Sequence, residues 1–306
     1  MPRVDALILD DDARARPSEH SSASVRTVVP DEAEPPIDRM TAHWLGRVDY
    51  RTAWDLQRAL AARRADDRVG DQLLLLEHPP VLTLGRHADE RHVLAPDAIL
   101  AERGIEVVRV ERGGEVTYHG PGQLVAYPIL ELSRRGLLIR PLVRALEGAM
   151  ADACAAFGVE GGRREGHPGC WCDADGPVPR KIGALGIRVE RGVSYHGIAL
   201  NVSTDLRDFD LIDPCGMPGL TSTSIEVELA RARPLKAGRR RPAGPPPSPD
   251  AVPSELSAPS ELSVPSVAAV FARALAARLA TGLDGALPPD ADPRAEREAL
   301  ARLAEG

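Results

Sequence analysis

The sequence predicts a mixed α/β domain, a mixed or mostly antiparallel β-sheet flanked by helices. Three observations predict it. Apolar runs of strand length recur between residues 43 and 202, two stretches carry helical spacing, and Gly/Pro-rich breaks separate them. The 306 residues are 43% apolar but only 3% aromatic, so the core must rest on Leu, Val, Ile and Ala.

The elements follow in order. Residues 1–40 are polar, Pro-containing and net −4, which reads as a disordered arm. A strand is expected over 43–48, then a helix over 50–64 with Ala53, Leu56, Ala59 and Leu60 on one face. Residues 72–77 read as a buried strand, 81–84 as another after Pro79-Pro80, and 105–110 and 123–132 as two more. A long helix over 139–157 runs through Leu142, Leu146, Met150 and Ala153. Cys170-Trp171-Cys172 beside His167 raises the thought of a metal. No second ligand pair at zinc-like spacing accompanies it, and alternation around Trp171 fits a strand better. Residues 181–189 and 193–202, joined by Glu190-Arg191-Gly192, read as a hairpin.

A basic patch from Arg231 to Arg241 then opens a Pro/Ser-rich stretch with the repeat PSELSA-PSELSV, so residues 232–265 are expected to be a flexible insertion. Ser266 is the expected N-cap of a closing helix through Val267, Val270, Phe271, Ala274 and Leu275 that ends near Gly282. One domain over 41–282 is the result, with 283–306 left as an acidic tail of net −3.

Composition excludes some classes. No run of about 18 apolar residues suits a membrane span, and acids interrupt the N-terminus where a signal peptide needs apolar residues. A cytoplasmic protein with four thiols is the expectation. The formal charge of −7 sits in the two ends, and a neutral middle does not suit a nucleic-acid partner.

Two segments carry candidate chemistry. In residues 112–123, RGGEVTYHGPGQ, glycines and prolines surround Thr117, Tyr118 and His119. The segment reads equally as a loop that lets substrate approach the backbone and as a turn between two strands. No Gly-Lys-Ser/Thr follows, so it is not a P-loop. In residues 213–219, DPCGMPG, Cys215 lies on an irregular turn, where a thiol is presented or, alternatively, packed as a small hydrophobe. Only two of the 38 basic residues are lysines, Lys181 and Lys236. Lys181 opens an apolar strand, where a removable proton is something arginine cannot offer. An ordinary thiol is only about 3% thiolate at pH 7, and a neighbouring ammonium favours the thiolate and can return its proton to a leaving thiol.

These segments, with residues 73–87 (LLLLEHPPVLTLGRH), 180–202 (RKIGALGIRVERGVSYHGIALNV) and 213–224 (DPCGMPGLTSTS), resemble those of lipoyl(octanoyl) transferases over roughly 43–230 plus the last helix. The resemblance implies the catalytic domain shared by biotin and lipoate protein ligases. It implies octanoyl transfer from acyl carrier protein to a lysine on the lipoyl domains of 2-oxoacid dehydrogenase complexes and on the glycine cleavage H protein, with no cofactor. Carried over by motif, Cys215 is the acyl-thioester nucleophile and Lys181 favours its thiolate. The acyl site falls to Arg112, Gly113, Gly114, Glu115, Val116, Thr117, Tyr118, His119, Ala184, Leu185, Gly186, Gly197, Ile198 and Ala199. Gly183 stands where the family usually has alanine, which bears on the shape of the acyl pocket. His119 and His196 are expected to position first and to move protons second. Arg134, Arg135, Arg140 and Arg144 are the candidates for docking an acidic carrier. The alternatives are an ATP-dependent lipoate or biotin ligase, an inactive relative that binds carrier domains and, more distantly, a thiol hydrolase.

Overall fold

A computed structural model of the chain describes residues 39–232 and 261–305. The expected N-terminal arm and nearly all of the expected insertion lie outside the described residues. In chain order the elements are β1 (Arg39–Arg47), α1 (Tyr50–Ala65), β2 (Asp71–Glu77), β3 (Val81–Leu84), α2 (Asp97–Glu102), β4 (Glu106–Arg109), β5 (Val116–His119), β6 (Gln123–Ile129) and α3 (Ile139–Ala156). They continue as β7 (Gly162–Arg164), β8 (His167–Cys172), β9 (Arg180–Glu190), β10 (Val193–Asn201), α4 (Ile225–Ala232), α5 (Val264–Arg278), β11 (Gly282–Asp284) and α6 (Pro293–Glu305).

The main sheet has eight strands in the order β11-β1-β2-β6-β10-β9-β8-β7. β1 runs parallel to both β11 and β2, and the remaining pairs are antiparallel, so the sheet is mixed as predicted. Its two faces explain the four consecutive leucines of β2. Leu73 and Leu75 join the cluster under α3 and α5 with Leu146, Met150 and Phe271, while Leu74 and Leu76 join Leu45, Leu60, Val125 and Leu300 under α1 and α6. A strand covered on both faces has no polar alternation to show. A second, three-stranded sheet, β4-β3-β5, closes over a smaller cluster formed by Leu82, Leu84, Val116, Tyr118, Phe209 and Ile212.

Two expectations at the C-terminus are corrected. The last long helix begins at Val264, not after Ser266. Ser263 caps it by accepting the Ser266 N–H at 3.2 Å, and Pro265 sits in the first turn, where no N–H is needed. Residues 283–306 are also not a tail. β11 adds an edge strand beside β1, and α6 packs on the sheet with Leu300 fully buried and Glu296 bonded to His43 at 2.6 Å. Three of the six acids of this segment, Glu296, Glu298 and Glu305, lie on an amphipathic helix among three arginines.

The docking arginines need revision as well. Arg135 joins Arg64 on the buried Asp71, and Arg134 pairs with Asp67. These two bind the fold together, whereas Arg140 and Arg144 are exposed on α3. Replacing Leu300 with alanine should cost about 2–5 kcal/mol in urea unfolding, the range for a fully buried leucine. A mere tail would lose nothing.

Candidate active site

The site is assembled at Lys181, the second residue of β9, and the turn after Ile212. Two steps from its end, β9 carries one extra residue. Cys170 pairs with Gly183 but the next residue, Trp171, pairs with Lys181, so Ile182 forms a bulge. Cys170 faces α3 in the core, and alternation turns Trp171 to the opposite face. The bulge therefore places Lys181 beside Trp171 and away from the core. There its ammonium lies 5.1 Å from the Trp171 ring centroid, donates to the Pro168 carbonyl at 3.0 Å and meets Cys215 Sγ at 3.3 Å. Both the ring face and the carbonyl favour a cation.

Cys215 has φ 59° and ψ 23°, the left-handed region, in a short 3-10 turn begun by Pro214. A non-glycine residue there costs roughly 1–2 kcal/mol, and the surrounding ties hold it. On one side Asp213 N–H donates to His92 O at 2.8 Å. On the other, Lys181 N–H donates to Thr221 O and Thr223 N–H to Lys181 O, each at 2.9 Å. The turn bearing the thiol is thus stitched to the strand bearing the ammonium.

The other thiols are kept out of chemistry. Cys154, hydrogen-bonded with Cys170 and buried, is held well above the ordinary thiol range, and burial pushes Cys172 up to about 12. Cys215 is half-buried while these three are buried.

Around the pair lies a small pocket lined by Thr117, Gln123, Lys181, Gly183, Ala184, Ala199, Asn201, Phe209, Pro214, Cys215, Leu220 and Ser222. A wider groove opens from it past Phe209, Pro214, Leu220 and Ser222. Of the residues expected to form the acyl site, Thr117, Ala184 and Ala199 line this pocket. Val116 and Tyr118 are on the opposite face of β5, in the small-sheet cluster, with the Tyr118 hydroxyl bonded to Asp208 at 2.6 Å. Leu185 and Ile198, paired across β9 and β10, pack against the α3/α5 core instead.

The glycines act by letting backbones approach. A methyl on Gly186 would stand 2.5 Å from Gly113 O, and one on Gly197 would stand 2.0 Å from Ala126 O. Gly113 N–H also donates to Ile187 O, and Gly114 O passes so close to Gly85 that a side chain there is excluded. A methyl on Gly183 would meet Met150 Sδ at 2.7 Å, so the change from the family's alanine is filled from the core side by methionine and not by the pocket.

In segment 112–123 the expected turn between two strands is present. β5 and β6 flank a Gly120-Pro121-Gly122 turn but belong to different sheets, and the stretch before β5 is fixed by Arg112. That buried guanidinium donates to Thr83 O, Thr83 Oγ1 and Gly113 O, and burial lowers its pKa. Glu115 accepts from Asp89 N–H and contacts His92 Nδ1 at 3.3 Å. His119 is bonded to Gln123, and His196 is enclosed with both ring nitrogens unpartnered. Both are too deeply buried to reach solvent, which fits positioning before proton transfer. The reading of the sequence missed Gln123, Asn201, Phe209, Pro214, Leu220 and Ser222 as lining residues and His92 as a neighbour of the thiol. The polar ends of β6 and β10 were the available signal for Gln123 and Asn201.

Comparison with known proteins shows an acyltransferase. The profile of the lipoyl protein ligase A/B catalytic domain matches residues 49–237. The chain is 51% identical over 193 residues to an octanoyltransferase of Acidobacterium capsulatum, covering 60% of this chain and 78% of that protein. It is 50% identical over 194 residues to an octanoyltransferase of Chloroflexus aurantiacus, covering 63% and 86%. In fold it is similar to a lipoate-protein ligase A solved with ATP, with a TM-score of 0.54 at 15% identity over 86% of this chain and 93% of that one. A lipoate protein ligase of Thermoplasma acidophilum gives 0.50 at 14% identity, over 86% and 91%. The chain belongs to the lipoyl protein ligase A/B catalytic domain family, among its octanoyltransferases.

Three buried histidines beneath the site should make the fold acid-sensitive. Burial lowers His78 to about 4 and His196 to about 3, and holds His119 well below its ordinary value. Each is neutral when folded but takes a proton when unfolded below about pH 6.5, so stability rises with pH across the window from 4 to 6.5 and falls as acid is added. His78 alone should account for about 3 kcal/mol by pH 4. Urea unfolding at pH 7, 6, 5 and 4 should show this slope.

Proposed function

We propose that the chain transfers an octanoyl group from acyl carrier protein, through a thioester on Cys215, to the lysine of lipoyl domains, the first step of protein lipoylation. The observation that carries this reading is the 3.3 Å contact between Lys181 Nζ and Cys215 Sγ at the wall of the pocket.

In the first half-reaction the Cys215 thiolate attacks the donor's thioester carbonyl. The carrier thiol departs with the proton of Lys181, which is left neutral. In the second, the acceptor amine attacks the Cys215 thioester, the cysteine leaves as thiolate, and Lys181 recovers a proton. Thioester exchange is nearly balanced and amide formation is downhill, so no nucleotide is needed. Apolar walls such as Ala184, Ala199, Phe209 and Leu220 suit an acyl chain, each buried methylene of which contributes about 0.8 kcal/mol.

The remaining expected acyl-site residues take a supporting part: Arg112, Gly113 and Gly114 shape the wall, and Gly186 and Gly197 admit it. The catalytic unit extends to residue 305, beyond the acidic boundary at 283, and acts in the reducing cytoplasm, where four thiols stay free. The 2-oxoacid dehydrogenase complexes and the glycine cleavage H protein are the acceptors this reading favours. An ATP-dependent ligase on the same fold is the second reading, favoured by the fold of a ligase solved with ATP. In an adenylate mechanism the Cys215–Lys181 contact would have no chemical role.

Incubation with octanoyl-carrier protein in the absence of ATP should add one octanoyl mass, removable by hydroxylamine. Cys215→Ser should form no such thioester. An adduct on Cys154, Cys170 or Cys172, or a strict need for ATP, would overturn the assignment. Lys181→Arg should retain charge but lose turnover by about 10²-fold or more, since arginine cannot give up a proton. Single-turnover rates against a small octanoyl thioester measure it, and a wild-type rate would show that charge alone suffices.

A further inference from the structure

Proton counting on this mechanism leaves one proton without a destination. The acceptor lysine arrives as an ammonium, because its pKa is near 10.4. Forming the amide removes two protons from that nitrogen. Neutral Lys181 takes one and returns to its starting charge. The other must go to a second base.

Most histidines near the pocket are unsuited to that task. His78 spends both ring nitrogens on Val48 O and Tyr127 Oη, and His119 spends its own on Gln123 and Thr83. His196 is enclosed behind Tyr127 and Tyr195.

His92 differs on each count. Its ring is about one-quarter exposed. Its backbone carbonyl accepts from Asp213 N–H, two residues before the nucleophile. Its ring edge packs on the residue after the nucleophile, for a methyl built on Gly216 would lie 3.0 Å from His92 Cε1 and 3.2 Å from Nδ1. His92 therefore meets the turn on both sides of Cys215, with its carbonyl at Asp213 and its ring edge at Gly216. Nδ1 faces Glu115 Oε2 at 3.3 Å, and Glu115 is itself held by Asp89 N–H at 3.2 Å. A carboxylate only accepts, so Nδ1 carries the hydrogen and donates it. Nε2 is left with its lone pair, and no partner occupies it among the described residues. A histidine oriented at one nitrogen by a carboxylate, with the other free, and packed on the turn that carries a nucleophile, has the makings of a general base.

We infer that His92, oriented by Glu115, is a further catalytic residue: its Nε2 accepts a proton from the acceptor's ammonium as that amine reaches the Cys215 thioester. The N–H bond of the ammonium breaks, an N–H bond to His92 forms, and the freed lone pair attacks the acyl carbon. The second proton passes to Lys181 as Cys215 leaves as thiolate. His92 then releases its proton to solvent, the single proton that the overall reaction yields. This rests on the transfer reading above.

The test separates the two half-reactions. The acyl-enzyme is formed with a small uncharged octanoyl thioester and discharged, in single turnover near pH 7, either to a lipoyl-domain lysine or to hydroxylamine. Hydroxylamine is already a neutral nucleophile and has only one proton to lose. In His92→Gln and His92→Ala the ratio of the lysine rate to the hydroxylamine rate should fall by about 10²-fold, the lower end of general-base effects. Added imidazole should restore much of the lysine rate in His92→Ala, which a purely structural defect would not permit. Glu115→Gln should lower the ratio by a smaller factor. An unchanged ratio, or equal losses with both nucleophiles and no rescue, would overturn the inference. Failure of the transfer reading itself would be visible earlier, as wild-type enzyme that forms no Cys215 adduct.

Discussion

The site depends on one placement: an ammonium held against a sulfur by a strand that would otherwise turn it into the core. Without the extra residue at Ile182, Lys181 would share a face with Gly183 and point towards Met150. One bulge reverses that direction, and two backbone hydrogen bonds to residues 221 and 223 keep the Cys215 turn in register with the re-aimed side chain. Neither segment fixes the distance alone. The strain of a left-handed cysteine persists because ties to His92 on one side and to Lys181 on the other hold the turn.

Burial then assigns different roles to like groups. Of four thiols, the three around the α3–β8 contact are buried, while Cys215 is half-buried and meets the Lys181 ammonium. Of the histidines, the buried His119 and His196 are kept neutral, His119 within hydrogen bonds and His196 by enclosure, with the guanidinium of Arg112 as their charged neighbour. His92, at the rim, keeps a free nitrogen. The same residue type is a structural piece in one place and a reagent in another, and access to solvent makes the difference.

Much of this was legible in the sequence, and the reasons are physical. Six strands of the main sheet announced themselves by apolar runs or alternation, the three-residue edge strands β7 and β11 did not, and the sparse use of lysine singled out Lys181. The motif resemblance supplied Cys215. Val116 and Tyr118 were assigned to the pocket because a contiguous motif does not reveal that a strand sends alternate side chains to opposite faces. The bulge at Ile182 left no trace, since it is a property of pairing between strands. The last helix was hidden because its buried stripe is narrow and the rest of it is charged. Phe209, Leu220 and Ser222 reach the pocket from irregular backbone, where no periodicity exists to be read.

The path of β1 has a consequence for how the chain is made. β1 lies between β2, which follows it directly, and β11, which arrives some 240 positions later, and α5 supplies Phe271 to the main core only after the expected insertion. A ribosome delivers the Cys215 turn and its lysine well before these pieces exist. The nascent protein must therefore wait with one face of its sheet uncovered until its final segments emerge. Such distant pairing slows folding and exposes apolar surface meanwhile. Assembly of the chemistry is thus timed by the arrival of residues 264–284, not by completion of the motif that performs it.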